Sequence, residues 1–231
     1  MRHITAALVI ASVCILTAGC SSGSNQDTKT STTKSTPTST TPPALLDTAL
    51  PGLLLSPEEV NTVMGATEMT VTRTRFEMSD DSATMEPREC LAVDGSAQAQ
   101  VYAGSGFTAV RDQTLQDGDN FTHFAEQAVV LFPSAKQASA FLTASAQQWP
   151  ACHEYTHTQS GSLWSAGPIS NANGILSITA TQQNSKEGGW ACGRALAARN
   201  NVVIDVNTCS GNPADSAVNI ANQIAARVQP Q

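Results

Sequence analysis

The folded part of this 231-residue sequence has few positive charges. Between residues 45 and 231, Lys or Arg occupies nine positions and Asp or Glu occupies eighteen, which gives a net charge near −9. A surface with this balance repels nucleic acid and anionic lipid headgroups. We therefore exclude DNA, RNA and direct recognition of a phospholipid surface.

Several other motifs are missing from the sequence. After the N-terminal residues, no apolar run is long enough to cross a bilayer as a helix. The cysteines show no C-x₂-C spacing, which disfavours a zinc site built from four thiolates. Such a site would be the alternative to disulfide bonds between these cysteines. No internal repeat and no ATP-binding segment is present. We expect one folded domain that holds no metal and no cofactor.

The N-terminus is typical of an exported protein. Arg2 precedes a short apolar run over residues 4–18, a pattern that predicts a secretory signal. The ending Leu16-Thr17-Ala18-Gly19-Cys20 resembles a bacterial lipobox, although Thr17 stands where Leu is commonest. We predict that residues 1–19 are removed and that Cys20 carries a lipid such as palmitate. The alternative is ordinary cleavage, which leaves Cys20 free.

A polar stretch follows Cys20. Residues 21–43 contain fourteen Ser or Thr and three Pro, and almost nothing apolar. Such a stretch cannot build a packed core. We predict a tether over residues 20–44 and a folded domain over residues 45–231. The domain is then expected at the extracytoplasmic face of the cell membrane, held there by its lipid alone.

Residues 190–209 form the clearest structural pattern in the chain. Asn200-Asn201 suits the two-residue turn of a β-hairpin, and we predict type I′ geometry because Asn tolerates a positive φ. Strand pairing about this turn sets Cys192 directly opposite Cys209. The alternation of an antiparallel pair makes this a non-hydrogen-bonded position, where the side chains lie closest. The hairpin therefore predicts a disulfide between these two residues.

The hairpin register assigns the remaining cysteines. After export and lipidation of Cys20, four cysteines remain in an oxidising compartment, which implies two disulfides. With Cys192–Cys209 formed, the second bond is Cys90–Cys152.

The two faces of the hairpin differ in polarity. One face is apolar and should meet helices; it carries Ala191, Ala195, Ala197, Val202, Ile204 and Val206. The other face carries Cys192, Arg194, Leu196, Asp205, Asn207 and Cys209. Arg194 sits across from Asn207 and diagonal to Asp205. We consider two interpretations: a solvated outer face with a weak surface ion pair, or a cleft wall in which Arg194, Asp205 and Asn207 meet a ligand.

The order of predicted elements indicates the fold class. An α+β fold is expected, with a mainly antiparallel (mixed) sheet and helices packed on one face. The elements are a helix from Ser56-Pro57, a strand over 67–75, an interrupted strand over 98–110, a strand over 121–132, a helix from Pro133-Ser134 to Trp149, strands over 152–183, the hairpin, and a helix capped by Asn212-Pro213.

One motif suggests an enzyme. Residues 153–157 match the zinc-protease signature H-E-x-x-H, whose chemistry requires both His on one helical turn. Here the segment is Thr-rich and looks extended, and residues four apart on a strand lie roughly 13 Å apart. We interpret the match as a coincidence and predict a non-enzymatic protein without a metal site. The alternative is an envelope hydrolase that uses His123, His153 or Glu154.

Four segments resemble a known family. The sequences YAGSGFTAV (102–110), VLFPSA (130–135) and QWPAC (148–152), together with residues 190–209, are similar to the PknH-like extracellular sensor domain. That domain occurs in mycobacterial transmembrane kinases and in stand-alone lipoproteins. The resemblance covers about residues 50–227 and departs at Phe107, where Trp is expected. It implies an α+β fold, the same two disulfides and a large cleft proposed to bind a ligand.

The leading hypothesis is a lipid-anchored sensing or binding protein. Its cleft would capture an unknown small or cell-wall-derived molecule without turning it over. Besides the hydrolase, a protein-partner-binding module in an envelope complex stays open as an alternative.

Overall fold

The computed structural model describes residues 42–186 and 189–228. Its strands are β1 Thr70–Arg75, β2 Met85–Glu86, β3 Ala109–Gln116, β4 Phe124–Leu131, β5 Glu154–His157, β6 Ser162–Ala166, β7 Ser170–Ala172, β8 Ile175–Gln182, β9 Ala191–Arg199 and β10 Val202–Ser210. Its α-helices are α1 Pro57–Met64, α2 Leu91–Asp94, α3 Ala99–Tyr102, α4 Ala135–Gln148 and α5 Ser216–Arg227. The predicted signal peptide, Cys20 and most of the tether lie outside these residues.

The strands form one sheet in the order β1-β3-β4-β10-β9-β8-β6-β5-β2, and β7 pairs with β8. Every pairing between these strands is antiparallel. The predicted α+β fold with a mainly antiparallel sheet is confirmed. No helix among the described residues is long and apolar enough to cross a membrane.

The central hairpin has the predicted register. Cys192 pairs with Cys209, and their Cα atoms are 4.1 Å apart. A disulfide joins them, and a second one joins Cys90 to Cys152. The short Cα distance is that of a non-hydrogen-bonded pair. Both predicted disulfides are therefore present in the fold.

The helices differ from the prediction because they pack on both faces of the sheet. On one face, α1 and α5 cover the apolar side chains of β10, such as Ile204 and Val206. On the other face, α2 and α4 pack against Leu196 and Val203. The expectation of helices on one face only is wrong. The second face carries enough apolar side chains among its polar ones to require a cover of its own.

Two further expectations fail in detail. The predicted strand over 98–110 is a short helix, α3, followed by a loop, and β3 begins only at Ala109. The last helix begins at Ser216 with Asp215 at its N-cap, three residues after Pro213. In both cases a Gly or Pro correctly marks an interruption of regular structure. It does not show whether the helix or strand lies before or after that residue.

The turn of the hairpin is not type I′. That type needs positive φ at both central residues, but only Asn200 has one, at 48°. Asn201 is buried instead. Its side-chain oxygen accepts from the backbone N–H of Leu45 (2.7 Å), and its amide donates to the carbonyls of Leu45 (3.0 Å) and Phe132 (2.9 Å). The turn therefore fixes the point where the chain enters the domain.

Replacing Asn201 should weaken the domain more than replacing its neighbour. Asn201→Ala leaves one buried and two part-buried backbone groups without partners, so we expect the free energy of unfolding to fall by about 2–4 kcal/mol. Asn200→Gly is the control because glycine accepts the positive φ, and it should cost less than about 1 kcal/mol. Urea denaturation measures both; equal effects would contradict this role of the Asn201 amide.

Candidate functional site

The three predicted ligand residues lie inside the protein. Arg194, Asp205 and Asn207 expose only 3%, 1% and 7% of their surfaces. The guanidinium of Arg194 donates from Nη1 to a carboxylate oxygen of Asp205 and to the carbonyl of Val206 (2.8 Å). The predicted pairing of Arg194 with Asp205 is present, but the face that carries it is not solvated.

This face is covered by residues 92–97, a segment that holds the end of α2 and the loop after it. Arg194 donates from Nη2 to the carbonyl of Ala92 (3.2 Å). The amide of Asn207 donates to the carbonyl of Asp94 (2.5 Å). The segment starts just after Cys90, so the disulfide to Cys152 ties it down at that end. We refer to residues 92–97 as the covering segment.

Asp205 is the acceptor at the centre of this contact. Its Oδ2 accepts from the backbone N–H of Ala97 and from the hydroxyl of Tyr102, both at 2.9 Å. Arg194 lies over the ring of Trp149, 5.6 Å from its centroid. In this conformation the polar groups are used within the protein, and contact between a ligand and Arg194, Asp205 or Asn207 stays a prediction.

A second polar cluster lies on the same face, on β1, β3 and β4. Arg75 donates to Glu126 (3.0 Å) and lies 3.6 Å from Asp112. The hydroxyl of Ser96, in the covering segment, donates to the other oxygen of Glu126 (2.5 Å). Asp112 is 1% exposed, and neither of its oxygens accepts a hydrogen bond from a described donor.

The two clusters together hold more acids than bases. The carboxyl groups of Asp112, Glu126 and Asp205 face the guanidinium groups of Arg75 and Arg194, three acids against two bases. Burial, and then the charge of Glu126, raises the pKa of Asp112 to about 8. Burial also raises the pKa of Glu126. The raised pKa favours the protonated form of Asp112 at neutral pH, in which its O–H can donate to Glu126.

This proton predicts how stability depends on pH. Between the ordinary Asp pKa of 3.8 and about 8, the folded state binds a proton that the unfolded state does not, so wild-type stability falls as pH rises. Asn mimics protonated Asp and does not titrate. From pH 5 to pH 8, we expect the free energy of unfolding of Asp112→Asn to rise relative to that of the wild type by about 2 kcal/mol or more.

Urea denaturation at pH 5, 6, 7 and 8 measures this difference. Asp119→Asn is the control, since Asp119 is exposed and its removal should shift stability equally at every pH. Parallel stability curves for Asp112→Asn and the wild type would contradict a buried, protonated Asp112.

The residues of the H-E-x-x-H match do not form one site, because they contact different partners. Glu154 and His157 lie on β5, an extended strand as predicted. His157 bonds Asp94 through Nε2 (2.9 Å), and this contact raises the pKa of His157. Glu154 accepts from Gln183 (3.2 Å), and His153 is exposed. No group of three or more metal-binding side chains occurs in the described part of the chain.

His123 lies elsewhere in the sheet. It directly precedes β4, which β10, β9, β8 and β6 separate from β5. Its Nδ1 bonds Asp117 (2.8 Å). Against the effect of burial, the pKa of Asp117 is lowered by hydrogen bonds from the backbone N–H of His123 (2.9 Å), the His123 ring and Thr122. The structure does not bring His123 together with His153 and Glu154 at one site.

An open pocket lies at the end of the hairpin that carries the Cys192–Cys209 disulfide. It has a volume of about 500 Å³. We call it the aromatic pocket; it is lined by Phe121, Thr122, Gln182, Ser185, Lys186, Gly189, Trp190 and Gly211. The ring centroids of Phe121 and Trp190 are 6.0 Å apart at an angle of 55°. A volume between about 300 and 1,000 Å³ is usual for small-ligand sites.

Residues 45–227 match the PknH-like extracellular domain. The chain belongs to this family. It is 34% identical over 187 residues to the serine/threonine-protein kinase PknH of Mycobacterium bovis, which covers 79% of this chain and 31% of the kinase. The PknH kinase of Mycobacterium tuberculosis matches at 34% identity, with 79% of this chain and 30% of the kinase covered.

A solved structure supports the same assignment. The crystal structure of the extracellular domain of PknH from Mycobacterium tuberculosis matches with a TM-score of 0.75 and 33% identity. The match covers 80% of this chain and 97% of that domain. The chain thus spans about a third of the curated kinases and nearly all of their extracellular domain. The domain described here is a PknH-like domain of the extracytoplasmic type.

Sequence reasoning missed the second polar cluster of this PknH-like domain. A signal for it exists, because Glu126 interrupts the apolar strand β4 and Asp205 likewise interrupts β10. A charge inside an apolar strand must find a buried partner. What the sequence does not show is that Arg75 and Ser96, remote in the chain, supply the partners of Glu126.

Proposed function

We propose that this PknH-like domain is a membrane-tethered binding or sensing module that captures a small or cell-wall-derived ligand and does not transform it. The observation that carries the proposal is the open aromatic pocket. The polar face of the hairpin, by contrast, is closed by the covering segment. Family membership supports an extracytoplasmic role. The hydrolase alternative receives no support, because His123, His153 and Glu154 do not meet.

The position of the aromatic pocket suits capture of a ligand from outside the membrane. The chain enters the domain at Pro43 and Leu45, which Asn200 and Asn201 hold at the turn of the hairpin. The pocket lies at the opposite end of the same hairpin. Two strands of nine residues separate the ends by about 30 Å. The aromatic pocket therefore lies far from Pro43 and Leu45, at the start of the described domain.

A larger cavity, of about 740 Å³, is less suited to this role. It lies at the chain-entry end, and its lining combines small and aliphatic residues with the polar side chains of Thr48, Asn200 and Arg227. None of its lining residues is aromatic. The aromatic pocket combines ring surfaces with polar groups, which is the mixture that ligand sites use.

The anchor is a separate part of the proposal. Cys20 lies at the end of the lipobox-like sequence, and the tether that follows it has the composition of a flexible coil. We expect a clickable palmitate analogue to label the full-length protein in a mycobacterial host. Cys20→Ala should remove the label. Equal labelling of both proteins, or none of the wild type, would contradict the lipid anchor.

Ligand capture is tested by thermal shift with fractionated envelope extracts. We expect a low-molecular-weight fraction to raise the Tm of the full-length protein by about 2–5 °C. Trp190→Ala should reduce this shift by removing one wall of the pocket. Leu163→Ala is the control, since Leu163 is exposed and outside the pocket, and it should keep the shift.

Other outcomes of this screen would replace the proposal. Stabilisation by a protein fraction alone would favour a partner-binding module. Consumption of the stabilising molecule that His123→Ala abolishes would favour the hydrolase. Equal shifts in Trp190→Ala and the wild type would show that the ligand does not bind in the aromatic pocket.

A further inference from the structure

We propose that the aromatic pocket binds a saccharide unit that carries a negative charge. The inference rests on the proposed function and names the chemical class of its ligand. Three properties of the pocket carry it: two accessible aromatic rings, neutral polar side chains in its lining, and an exposed lysine.

The rings supply an apolar surface that a flat ligand can cover. Phe121 is 38% exposed and Trp190 is half-buried, so both rings reach the pocket. Phe124 packs against Phe121, with ring centroids 6.1 Å apart. Aromatic side chains offer a large rigid apolar area, against which the C–H face of a sugar ring can pack.

The polar side chains restrict which flat ligand fits. Gln182 and Ser185 line the pocket, and each can donate and accept hydrogen bonds. A hydrocarbon would desolvate these groups without replacing their bonds to water, which costs free energy. A ligand with several hydroxyl groups pairs with both kinds of atom. The ring surfaces together with these groups therefore favour a sugar over a purely apolar molecule.

The charge of the ligand follows from Lys186. Only two lysines, Lys136 and Lys186, occur between residues 45 and 231, in a domain with a net charge near −9. One of the two lines this pocket. Aromatic rings alone would also accept a cation, but an ammonium group disfavours cations and attracts a carboxylate or phosphate. We therefore expect the pocket to prefer a saccharide that carries a negative charge.

Glucose and glucuronate test this assignment, because they differ only in the group at C6. Full-length protein in detergent is titrated with each sugar and followed by ligand-observed NMR. We expect glucuronate to bind at least about tenfold more tightly than glucose, the usual size of one charge-assisted hydrogen bond. Benzoate, which is flat and anionic but has no hydroxyl groups, should bind more weakly than glucuronate.

Two variants with matched controls locate the binding. Lys186→Gln should bring glucuronate down to the affinity of glucose, whereas Lys136→Gln should change neither. Trp190→Ala should weaken both sugars about tenfold by loss of stacking, whereas Leu163→Ala should keep wild-type binding. Lys186 is exposed, so its replacement leaves the fold intact.

Several results would overturn the inference: equal binding of the two sugars, tighter binding of benzoate, or an unchanged preference in Lys186→Gln. Absence of binding by either sugar would also overturn it. If an envelope fraction still stabilises the wild type but not Trp190→Ala, the proposed function stands and only the ligand class is wrong. If no fraction does so, both fail.

Discussion

The buried ion pair between Arg194 and Asp205 is the interaction on which the arrangement of this domain depends. It links the two central strands and at the same time holds the covering segment, through the carbonyl of Ala92 and the N–H of Ala97. A buried pair is weak evidence for net stability, but loss of one partner leaves an uncompensated charge and costs about 3–5 kcal/mol. The sheet and its cover are therefore coupled through these two side chains.

The same principle explains the proton on Asp112. Burial of three carboxyl groups beside two guanidinium groups leaves one negative charge without a partner, and the protein neutralises it by a raised pKa. The covering segment takes part here as well, because Ser96 bonds Glu126. Covering the polar face thus uses main-chain donors, and the raised pKa of Asp112 favours a bound proton there.

Much of the hairpin could be predicted from the sequence, because each of its properties is local. The alternation of side chains and a two-residue turn define the register, and the register defines the faces and one disulfide. The covering segment could not be predicted in this way. Alternation shows that Arg194, Asp205 and Asn207 share a face, but no local pattern shows that residues 92–97, about a hundred positions earlier, supply the groups they bind.

The turn and the site show the same limit. Asn200 fits the local rule for positive φ, whereas Asn201 is explained by its bonds to Leu45 and Phe132. The polarity of the hairpin face correctly indicates polar contacts, but these contacts are internal. The aromatic pocket could not be read from the sequence either, since Phe121 and Trp190 are separated by sixty-nine positions and meet only through the sheet.

The hairpin connects the features that the proposed function requires. Trp190 precedes Cys192 by two residues and Gly211 follows Cys209 by two, so the disulfide sets the separation of these two walls of the pocket. The third wall follows from strand pairing, because Cys209 pairs with Phe124, at the start of β4 and close to Phe121. At its other end the hairpin holds the entering chain. A short, cross-linked pair of strands therefore carries the aromatic pocket at one end and contacts the first described residues of the domain at the other.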